Sequence, residues 1–381
     1  MNYLREVPRE LLYTIISYVD IITDLDNLIK FLDAHTILSF DHDGWADLSR
    51  QIFPYKQIKT KYEYCKHALK QNLVILGRDK YYNFENIDIS QVGQVLKVAC
   101  GRYFNIILNT ENELFSFGLN NHSGILGIGD ISTINKNQIY KIQGDYGKIV
   151  QISCGAEHAA LMNEAGDLYM WGYNAVGQLG LGDYLNRLVP TKVNGNFGKV
   201  KYISCGYFHT GFINDKNQLF MCGQNSYRCI PTSHLNSTKK FILIEEDVIH
   251  VECGYSTTAI IKNQKLHMYG EVDKYTVFAL KTRDISCDSV SIGSNVMSIQ
   301  DGYYLKIYYP NLGLPTPFQI SSQEYQIKHK TSKLKCDYKA IILDNEDNLH
   351  IIDQNSKQSY IQVIDFDISG SHILRVEYAM T

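Results

Sequence analysis

The 381-residue chain lacks several segments that would assign it to a common class of protein. Its formal net charge is −3 and no block of like charge stands out, so the basic patch of a nucleic-acid binder is missing. No uncharged apolar run reaches the ~18 residues that a membrane-spanning helix needs, so no membrane span is expected. The first ten residues include Arg5, Glu6, Arg9 and Glu10, so no secretory signal peptide is expected. Without a predicted signal peptide or membrane span, the protein is expected to be intracellular, in the cytoplasm or nucleus.

Motifs for catalysis and cofactor binding are also missing. No Ser/His/Asp or Cys/His set places a nucleophile beside a base. The segment 177–183 is rich in glycine, but no Lys-Ser/Thr pair follows it and no helix is expected there, which favours a turn over a phosphate loop. The sequence therefore predicts a protein without enzymatic activity or cofactor.

The sequence does contain an internal repeat. Segments that begin at Val95, Ile149 and Val200 each read as an apolar strand ending in Cys-Gly, a second apolar strand, a polar turn, and a third strand ending in Gly. In each copy the Leu that opens the third strand lies 13 positions after the Gly that follows the Cys, and the next Gly lies four positions after that Leu. A fourth copy, at Cys253, has spacings of 12 and four. Alternating apolar residues in these segments suit strands packed between neighbouring sheets.

Three weaker copies follow, anchored at Gly293, Asp337 and Gly370. Only 11 residues follow Gly370, and a segment that could complete this last copy lies near the other end, at 72–77. We therefore predict that one sheet takes its first two strands from 363–381 and its later strands from about 72–90. Such pairing removes the two exposed strand edges that an open ring would have. The predicted fold is mainly β, a seven-bladed β-propeller over residues 59–381, closed by pairing of its N- and C-terminal strands.

The second copy of the repeat resembles a known family. Its residues from Cys154-Gly-Ala-Glu-His158 through Gly166-Asp-Leu-Tyr-Met-Trp-Gly172 to Gly182-Asp183 closely resemble the signature of regulator-of-chromosome-condensation repeats. The resemblance covers about residues 60–381 and weakens over the last three copies. It implies a seven-bladed propeller, in agreement with the number of copies counted from the spacing.

Residues 1–58 do not repeat, and they predict a small all-α module preceding the propeller. Apolar residues form one helical stripe over 11–19, and Thr23 can cap a second helix. The order of proline, Leu-Leu, Ile-Ile, Asp-Leu and a late Trp resembles an F-box, which implies docking on a Skp-type adaptor of a cullin ubiquitin ligase. The residues matched to adaptor binding are Pro8, Leu11, Leu12, Ile15, Ile16, Leu25 and Leu28. The sequence departs from the F-box pattern at Val7 and over 33–43, and the alternative is that these helices only cap the propeller.

Two Cys-x3-His pairs, Cys154/His158 and Cys205/His209, invite comparison with zinc sites. Zinc needs four ligands that converge within about 2.0–2.3 Å. The two pairs occupy equivalent positions in different copies, so we predict buried cysteines and hydrogen-bonded histidines with no metal. Five of the nine cysteines share this one position of the repeat, which indicates packing and not disulfide bonding: Cys100, Cys154, Cys205, Cys253 and Cys336.

The residues just after each Cys-Gly anchor are expected on one face of the ring. Tyrosine and arginine are frequent there, as they are in interface hot spots. The predicted partner-binding residues are Arg102, Tyr103, Tyr207, Phe208, Tyr255 and Tyr338. The alternative is that these aromatic side chains only pack between blades.

The leading functional prediction is an interaction protein that joins a target, held by the propeller, to a ligase recruited by the N-terminal module. The first alternative is a guanine-nucleotide exchange factor, the activity that the family resemblance implies for its namesake on the small GTPase Ran. The protruding hairpin and basic tail implied by that role are not evident here. The second alternative is a bare propeller scaffold. The composition, biased towards residues of AT-rich genomes, and this pairing of domains resemble proteins of large DNA viruses of amoebae, which would place the protein in a host cell.

Overall fold

Within the residues that the structure describes, every regular element is a β-strand. The computed structural model describes residues 71–77, 87–120, 123–131, 135–232, 236–270, 287–293, 297–301, 304–309, 321–326, 331–336, 340–344, 349–352, 357–360, 363–369 and 372–378. The predicted helical module of residues 1–58 lies outside them. No helix in the described part of the chain is long and apolar enough to cross a bilayer.

The strands follow one another in chain order as β1 (Gln71–Gly77), β2 (Val95–Cys100), β3 (Phe104–Asn109), β4 (Leu114–Gly118), β5 (Tyr140–Ile142), β6 (Ile149–Cys154), β7 (His158–Asn163), β8 (Leu168–Gly172), β9 (Arg187–Lys192), β10 (Val200–Cys205), β11 (His209–Asn214), β12 (Leu219–Gln224), β13 (Ser237–Glu245), β14 (Val248–Cys253), β15 (Thr257–Lys262), β16 (Lys265–Gly270), β17 (Ser289–Ile292), β18 (Met297–Asp301), β19 (Tyr304–Tyr309), β20 (Ser321–Gln326), β21 (Thr331–Cys336), β22 (Ala340–Asp344), β23 (Leu349–Ile352), β24 (Lys357–Tyr360), β25 (Val363–Ser369) and β26 (His372–Tyr378).

These described strands form seven sheets. Sheets 1, 2 and 3 are β2–β5, β6–β9 and β10–β13, and sheet 4 is β14–β16; sheets 5 and 6 are β17–β20 and β21–β24. In these six sheets each strand pairs antiparallel with the next along the chain. Sheet 7 has the order β1-β26-β25, so the pairing predicted for the two end segments is present. Of the later strands predicted over about 72–90, the structure describes β1, which ends at Gly77, and residues 87–90 are described but are not in a strand.

The first strands of the sheets contact one another in succession. β2 contacts β6, β6 contacts β10, β10 contacts β14, β14 contacts β17, β17 contacts β21 and β21 contacts β25. β25 in turn contacts β2, so the series returns to its first member. All of these contacts fall within Leu73–Val376, which form one compact unit.

The first strands of five sheets share a bulge that tilts one side chain towards the next sheet. The register shifts at the second residue of β2, β6, β10, β14 and β21. A bulge changes the direction of the side chain beside it. In these strands the side chain of the third residue forms a hydrogen bond to the next sheet. Lys97 Nζ donates to Val150 O at 2.7 Å, and Gln151 Nε2 donates to Ile203 O at 2.8 Å. The bulge also accounts for two exposed apolar residues, Leu96 and Ile249, each at the second position.

The core lies between the sheets, as the alternation of apolar residues predicts. One cluster joins Phe104 and Leu108 of sheet 1 to Ile152 and Leu161 of sheet 2. Trp171 is fully buried in the same cluster, and its indole N–H donates to Ile125 O at 3.1 Å. Each interface therefore takes side chains from two successive repeats, which is why a single repeat cannot bury its own apolar surface.

In sheets 1 to 3 the turn before the third strand is organised by the asparagine that ends the second strand. Asn163 Oδ1 accepts from Asp167 N at 2.8 Å, and its amide donates to Tyr146 O at 2.8 Å. Asn214 makes the same pair of bonds, to Gln218 N and Phe197 O. Gly166, with φ of 85°, ends the turn in a left-handed conformation that glycine adopts without strain.

Candidate functional site

The loops that follow the Cys-Gly anchors of sheets 1 to 4 lie side by side. We call residues 101–103, 155–157, 206–208 and 254–256 the anchor loops. Arg102 N donates to Ala156 O at 3.0 Å, Ala156 N to Tyr207 O at 3.4 Å, and Tyr207 N to Gly254 O at 3.0 Å. Backbone hydrogen bonds thus link four successive loops into one surface, as expected for residues at one position of the repeat.

Glycine is required at the start of these loops because the loops approach one another closely. A Cβ at Gly155 would collide with the His158 ring and with the carbonyl oxygen of Gly206. A Cβ at Gly206 would lie 2.6 Å from the carbonyl oxygen of Gly254. The Cys-Gly motif therefore fixes the distance between neighbouring loops.

Five of the six predicted partner-binding residues converge on this surface. The residues Arg102, Tyr103, Tyr207, Phe208 and Tyr255 are called the anchor-loop cluster below. The Arg102 guanidinium reaches from sheet 1, past Ala156 of sheet 2, and donates through Nη1 to the Tyr207 hydroxyl of sheet 3. It also lies 4.8 Å from the centre of the Tyr103 ring and 5.5 Å from that of Tyr207, distances at which a cation is attracted to a ring face.

Aromatic contacts extend the cluster into sheet 4. The ring centres of Tyr207 and Tyr255 are 4.1 Å apart, and Phe208 packs edge-on against Tyr207 at 4.5 Å. Partial burial raises the pKa of Tyr207 to about 12, so its hydroxyl stays neutral at physiological pH. Tyr103, Tyr207 and Phe208 are half-buried, whereas Arg102 is exposed and Tyr255 keeps 48% of its surface in solvent. The aromatic residues thus pack between blades and also face solvent in part, and their role in binding a partner stays a prediction.

The remaining predicted site residues are not described. Tyr338 and the adaptor-binding residues Pro8, Leu11, Leu12, Ile15, Ile16, Leu25 and Leu28 lie outside the described residues. Their assignment to a partner-binding face and to an adaptor interface stays a prediction.

The histidines of the two Cys-x3-His pairs are buried and hydrogen-bonded, as predicted, and Cys205 is buried, but Cys154 is only half-buried. His158 Nε2 is 2.9 Å from Thr210 Oγ1, and His209 Nε2 is 2.9 Å from Thr258 Oγ1, so each histidine bonds to the next sheet. Burial lowers the pKa of His158 to about 3 and that of His209 to about 4. Burial raises the pKa of the Cys205 thiol to about 12. Among the described residues no cluster of His, Cys, Asp and Glu is arranged to hold a metal ion.

The glycine-rich segment 177–183 is a turn, as predicted. Gly177 and Gly180 have φ of 83° and 66°. Gly182 N donates to Lys239 O of sheet 3 at 2.8 Å, and the buried Asn174 amide donates to Asp183 O at 3.1 Å. The segment therefore closes the seam between sheets 2 and 3.

A buried polar group on the first strands was not predicted. Glu252 of sheet 4 has a side chain only 6% exposed, and its Oε1 lies 2.7 Å from Lys335 Nζ of sheet 6. Ser291 of the intervening sheet 5 donates to the same carboxylate at 3.4 Å, and Ser204 of sheet 3 does so at 3.5 Å. The available signal was positional, because Ser204, Glu252 and Lys335 each precede an anchor cysteine.

Comparison with known proteins identifies the repeat as one of a known family. Two family models, each described as Regulator of chromosome condensation (RCC1) repeat, match residues 111–162 and 165–213, and residues 95–124, 149–178 and 200–229. The chain is 33% identical over 184 residues to the ultraviolet-B receptor UVR8 of Arabidopsis thaliana, covering 46% of this chain and 41% of the receptor. It is 33% identical over 172 residues to the probable E3 ubiquitin-protein ligase HERC4 of Mus musculus, covering 44% of this chain and 16% of that protein.

The chain thus spans less than half the length of these relatives. Among solved structures, Prp20p of Saccharomyces cerevisiae is similar with a TM-score of 0.66 at 13% identity, over 86% of this chain and 96% of Prp20p. A second similar structure, of the same protein bound to Kap60, gives its name as yeast RCC1. The sheets described above therefore have the β-propeller fold of an RCC1-type protein, and residues 95–229 carry regulator of chromosome condensation (RCC1) repeats.

Proposed function

We propose that this chain is a non-enzymatic interaction protein whose seven sheets form a closed propeller that holds a target protein at the anchor-loop cluster. The observation that carries the proposal is the convergence of Arg102, Tyr207 and Tyr255 from three different sheets on one surface. Tyrosine and arginine are the residue types that dominate binding energy at protein interfaces. A ring of sheets gives these side chains a rigid base, which reduces the entropy lost when a partner binds.

The experiment for this step is capture of partner proteins by the full-length chain and by Tyr255→Ala. Tyr255 is the most exposed ring of the cluster, so its loss should weaken partner capture while the thermal unfolding temperature stays within about 2 °C. Val189→Ala is the control, because Val189 is similarly exposed on the outer strand of sheet 2. Equal capture by wild type, Tyr255→Ala and Val189→Ala would contradict the proposed face.

The second part of the proposal is that residues 1–58 dock on a Skp-type adaptor of a cullin ubiquitin ligase. Its support is the F-box-like order of Pro8, Leu11, Leu12, Ile15 and Ile16 in the sequence. One relative with this type of repeat is itself named a probable E3 ubiquitin-protein ligase. Joining target and ligase through one chain would raise the effective concentration of the target at the ligase, with no chemistry by this protein.

Adaptor binding is tested by pull-down of purified Skp-type adaptor with the full-length chain and with the double variant Leu11→Asp/Leu12→Asp. We expect binding by the full-length chain and loss of binding by the variant. If neither binds the adaptor, residues 1–58 are assigned to capping and the scaffold alternative gains support. A nucleotide-release assay on a small GTPase addresses the exchange-factor alternative, and acceleration of release would contradict the non-enzymatic role.

A further inference from the structure

We propose that the anchor-loop cluster recognises an acidic peptide segment of its partner, with an Asp or Glu carboxylate on the Arg102 guanidinium and a neighbouring apolar side chain on Tyr255. The inference rests on the proposed interaction role and specifies the chemistry of the partner. It is carried by the Arg102 guanidinium, which has no carboxylate partner among the described residues, by the two rings that contact it, and by the exposed apolar surface nearby.

Arg102 has no carboxylate partner within the described part of the chain. Its guanidinium makes one side-chain hydrogen bond there, from Nη1 to the neutral Tyr207 hydroxyl. By contrast, Arg187 is paired with Asp183 at 2.6 Å and Lys335 with Glu252 at 2.7 Å. A guanidinium has five N–H donors in a planar fork, so most of the donors of Arg102 remain for a ligand.

The cluster holds this fork in a fixed place. The Tyr103 and Tyr207 rings lie against the guanidinium and the Tyr207 hydroxyl accepts from it, while its backbone N donates to Ala156 O. An arginine ordered in this way loses little rotamer freedom on binding, and its fork matches the two oxygens of a carboxylate. Ala156, the smallest side chain at this position, leaves Arg102 room to cross from sheet 1 to sheet 3.

Exposed apolar surface lies beside each of the two tyrosines that contact the guanidinium. Tyr255 is 48% exposed next to Tyr207, and Leu119 is 36% exposed where its backbone N bonds to Tyr103 O at 2.9 Å. An acidic residue with aromatic or aliphatic neighbours would fill this arrangement. Because the net charge of the chain is −3, long-range attraction does not favour an acidic partner, and selection must come from this local cation.

The site fits a carboxylate better than a phosphate. Sites for phosphorylated peptides use clusters of arginines, whereas the anchor-loop cluster has one. The adjacent anchor loop also contributes Glu157, which is half-buried and would repel a dianion more strongly than a monoanion.

The test is a selection of random 12-residue peptides displayed on phage, carried out in parallel on the full-length chain and on Arg102→Gln. We expect the wild-type chain to enrich peptides with Asp or Glu beside an aromatic or aliphatic residue, and Arg102→Gln to lose that enrichment. The highest-ranking peptide is then synthesised with a fluorescein label and titrated by fluorescence anisotropy. Arg102→Gln and Arg102→Lys should each bind it about tenfold more weakly, since a lysine lacks the planar fork.

Arg228→Gln is the matched control, because Arg228 is an exposed arginine in the loop after β12 and its substitution removes the same charge. It should change affinity by less than about twofold. Replacing the Glu of the peptide with phosphoserine separates the two anions, and binding tenfold tighter than the Glu peptide would overturn the assignment to a carboxylate. Unchanged thermal unfolding of each variant shows that the fold is kept.

The proposal fails if no peptide is enriched, if enriched peptides carry no acidic residue, or if Arg102→Gln enriches the same set. If the enriched peptides lack acidic residues but bind Tyr255→Ala more weakly than wild type, the proposed interaction face is supported and only its preference for an acidic segment is refuted. Peptides that are indifferent to both Tyr255→Ala and Arg102→Gln would remove the proposed face as well.

Discussion

Two buried histidines at the same position of successive sheets make stability depend on pH. His158 and His209 have pKa values lowered to about 3 and about 4, with burial as the main cause, from an ordinary value of 6.5. Both are neutral in the folded chain, whereas the unfolded chain protonates them below about pH 6.5. Their neutral form therefore costs nothing above pH 6.5, and the free energy of unfolding falls as the pH drops from there towards the folded values.

We predict a fall of roughly 1 kcal/mol per pH unit for each histidine between pH 6 and pH 5, measured by urea unfolding. The double variant His158→Gln/His209→Gln keeps a polar side chain opposite Thr210 and Thr258 but has no imidazole to titrate. Its unfolding free energy should change less over the same interval. Equal slopes for the variant and the wild type would show that these histidines do not control acid stability.

At Gly155 a single methyl group should be costly. Its Cβ would collide with the His158 ring, which is hydrogen-bonded to Thr210, and with the Gly206 carbonyl oxygen of the next anchor loop. We expect Gly155→Ala to lower the free energy of unfolding by about 1–3 kcal/mol, the usual cost of overpacking. Glu164→Ala, which removes only the exposed ion pair with Lys148, should change it by less than about 1 kcal/mol. Chemical denaturation of the two variants compares them directly, and similar losses would contradict the steric argument.

At the scale of the strand, the repeat spacing was sufficient to predict the first three strands of each repeat. The leucines that the spacing placed at the start of third strands, such as Leu114, Leu168 and Leu219, do begin β4, β8 and β12. The fourth strands were not predicted. β13 shows the reason, because its residues are exposed or half-buried throughout and carry no alternating apolar pattern.

The residues of the anchor-loop cluster could be predicted from the sequence as sharing one surface, because they occupy equivalent positions of the repeat. Their contacts with one another could not be predicted. Arg102 meets Tyr207 across the whole of sheet 2, at a separation of 105 residues. That contact depends on the small side chain of Ala156 and on the angle between sheets, and neither follows from spacing. The same holds for Glu252 and Lys335, which meet across sheet 5.

The ion pair between Glu252 and Lys335 should couple sheets 4 and 6. Glu252→Gln would remove the carboxylate charge that Lys335 Nζ contacts at 2.7 Å, and we expect a loss of about 1.5–3 kcal/mol in the free energy of unfolding. The double variant Glu252→Gln/Lys335→Met removes both charges and should regain part of that loss. A double-mutant cycle measured by chemical denaturation tests this, and additive effects of the two substitutions would argue against coupling.

At the scale of the whole molecule, sheet 7 draws its strands from both ends of the described chain. Deleting residues 372–381 removes β26, which lies between β1 and β25 and bonds to both. We expect this deletion to abolish the cooperative thermal transition of the propeller, because β1 and β25 both lose the strand that they pair with. Deleting only residues 379–381 keeps all of β26 and is the control. A cooperative transition that survives loss of β26 would refute closure of the ring through sheet 7.

The order of strands in sheet 7 also has a consequence for biosynthesis. β1 leaves the ribosome about 300 residues before β26. At a translation rate of roughly 5–20 residues per second the nascent β1 waits about 15–60 s for its neighbour. During that interval the backbone donors and acceptors that β1 presents to β26 have no partner, so we expect the growing chain to depend on chaperones that shield edge strands until β26 emerges.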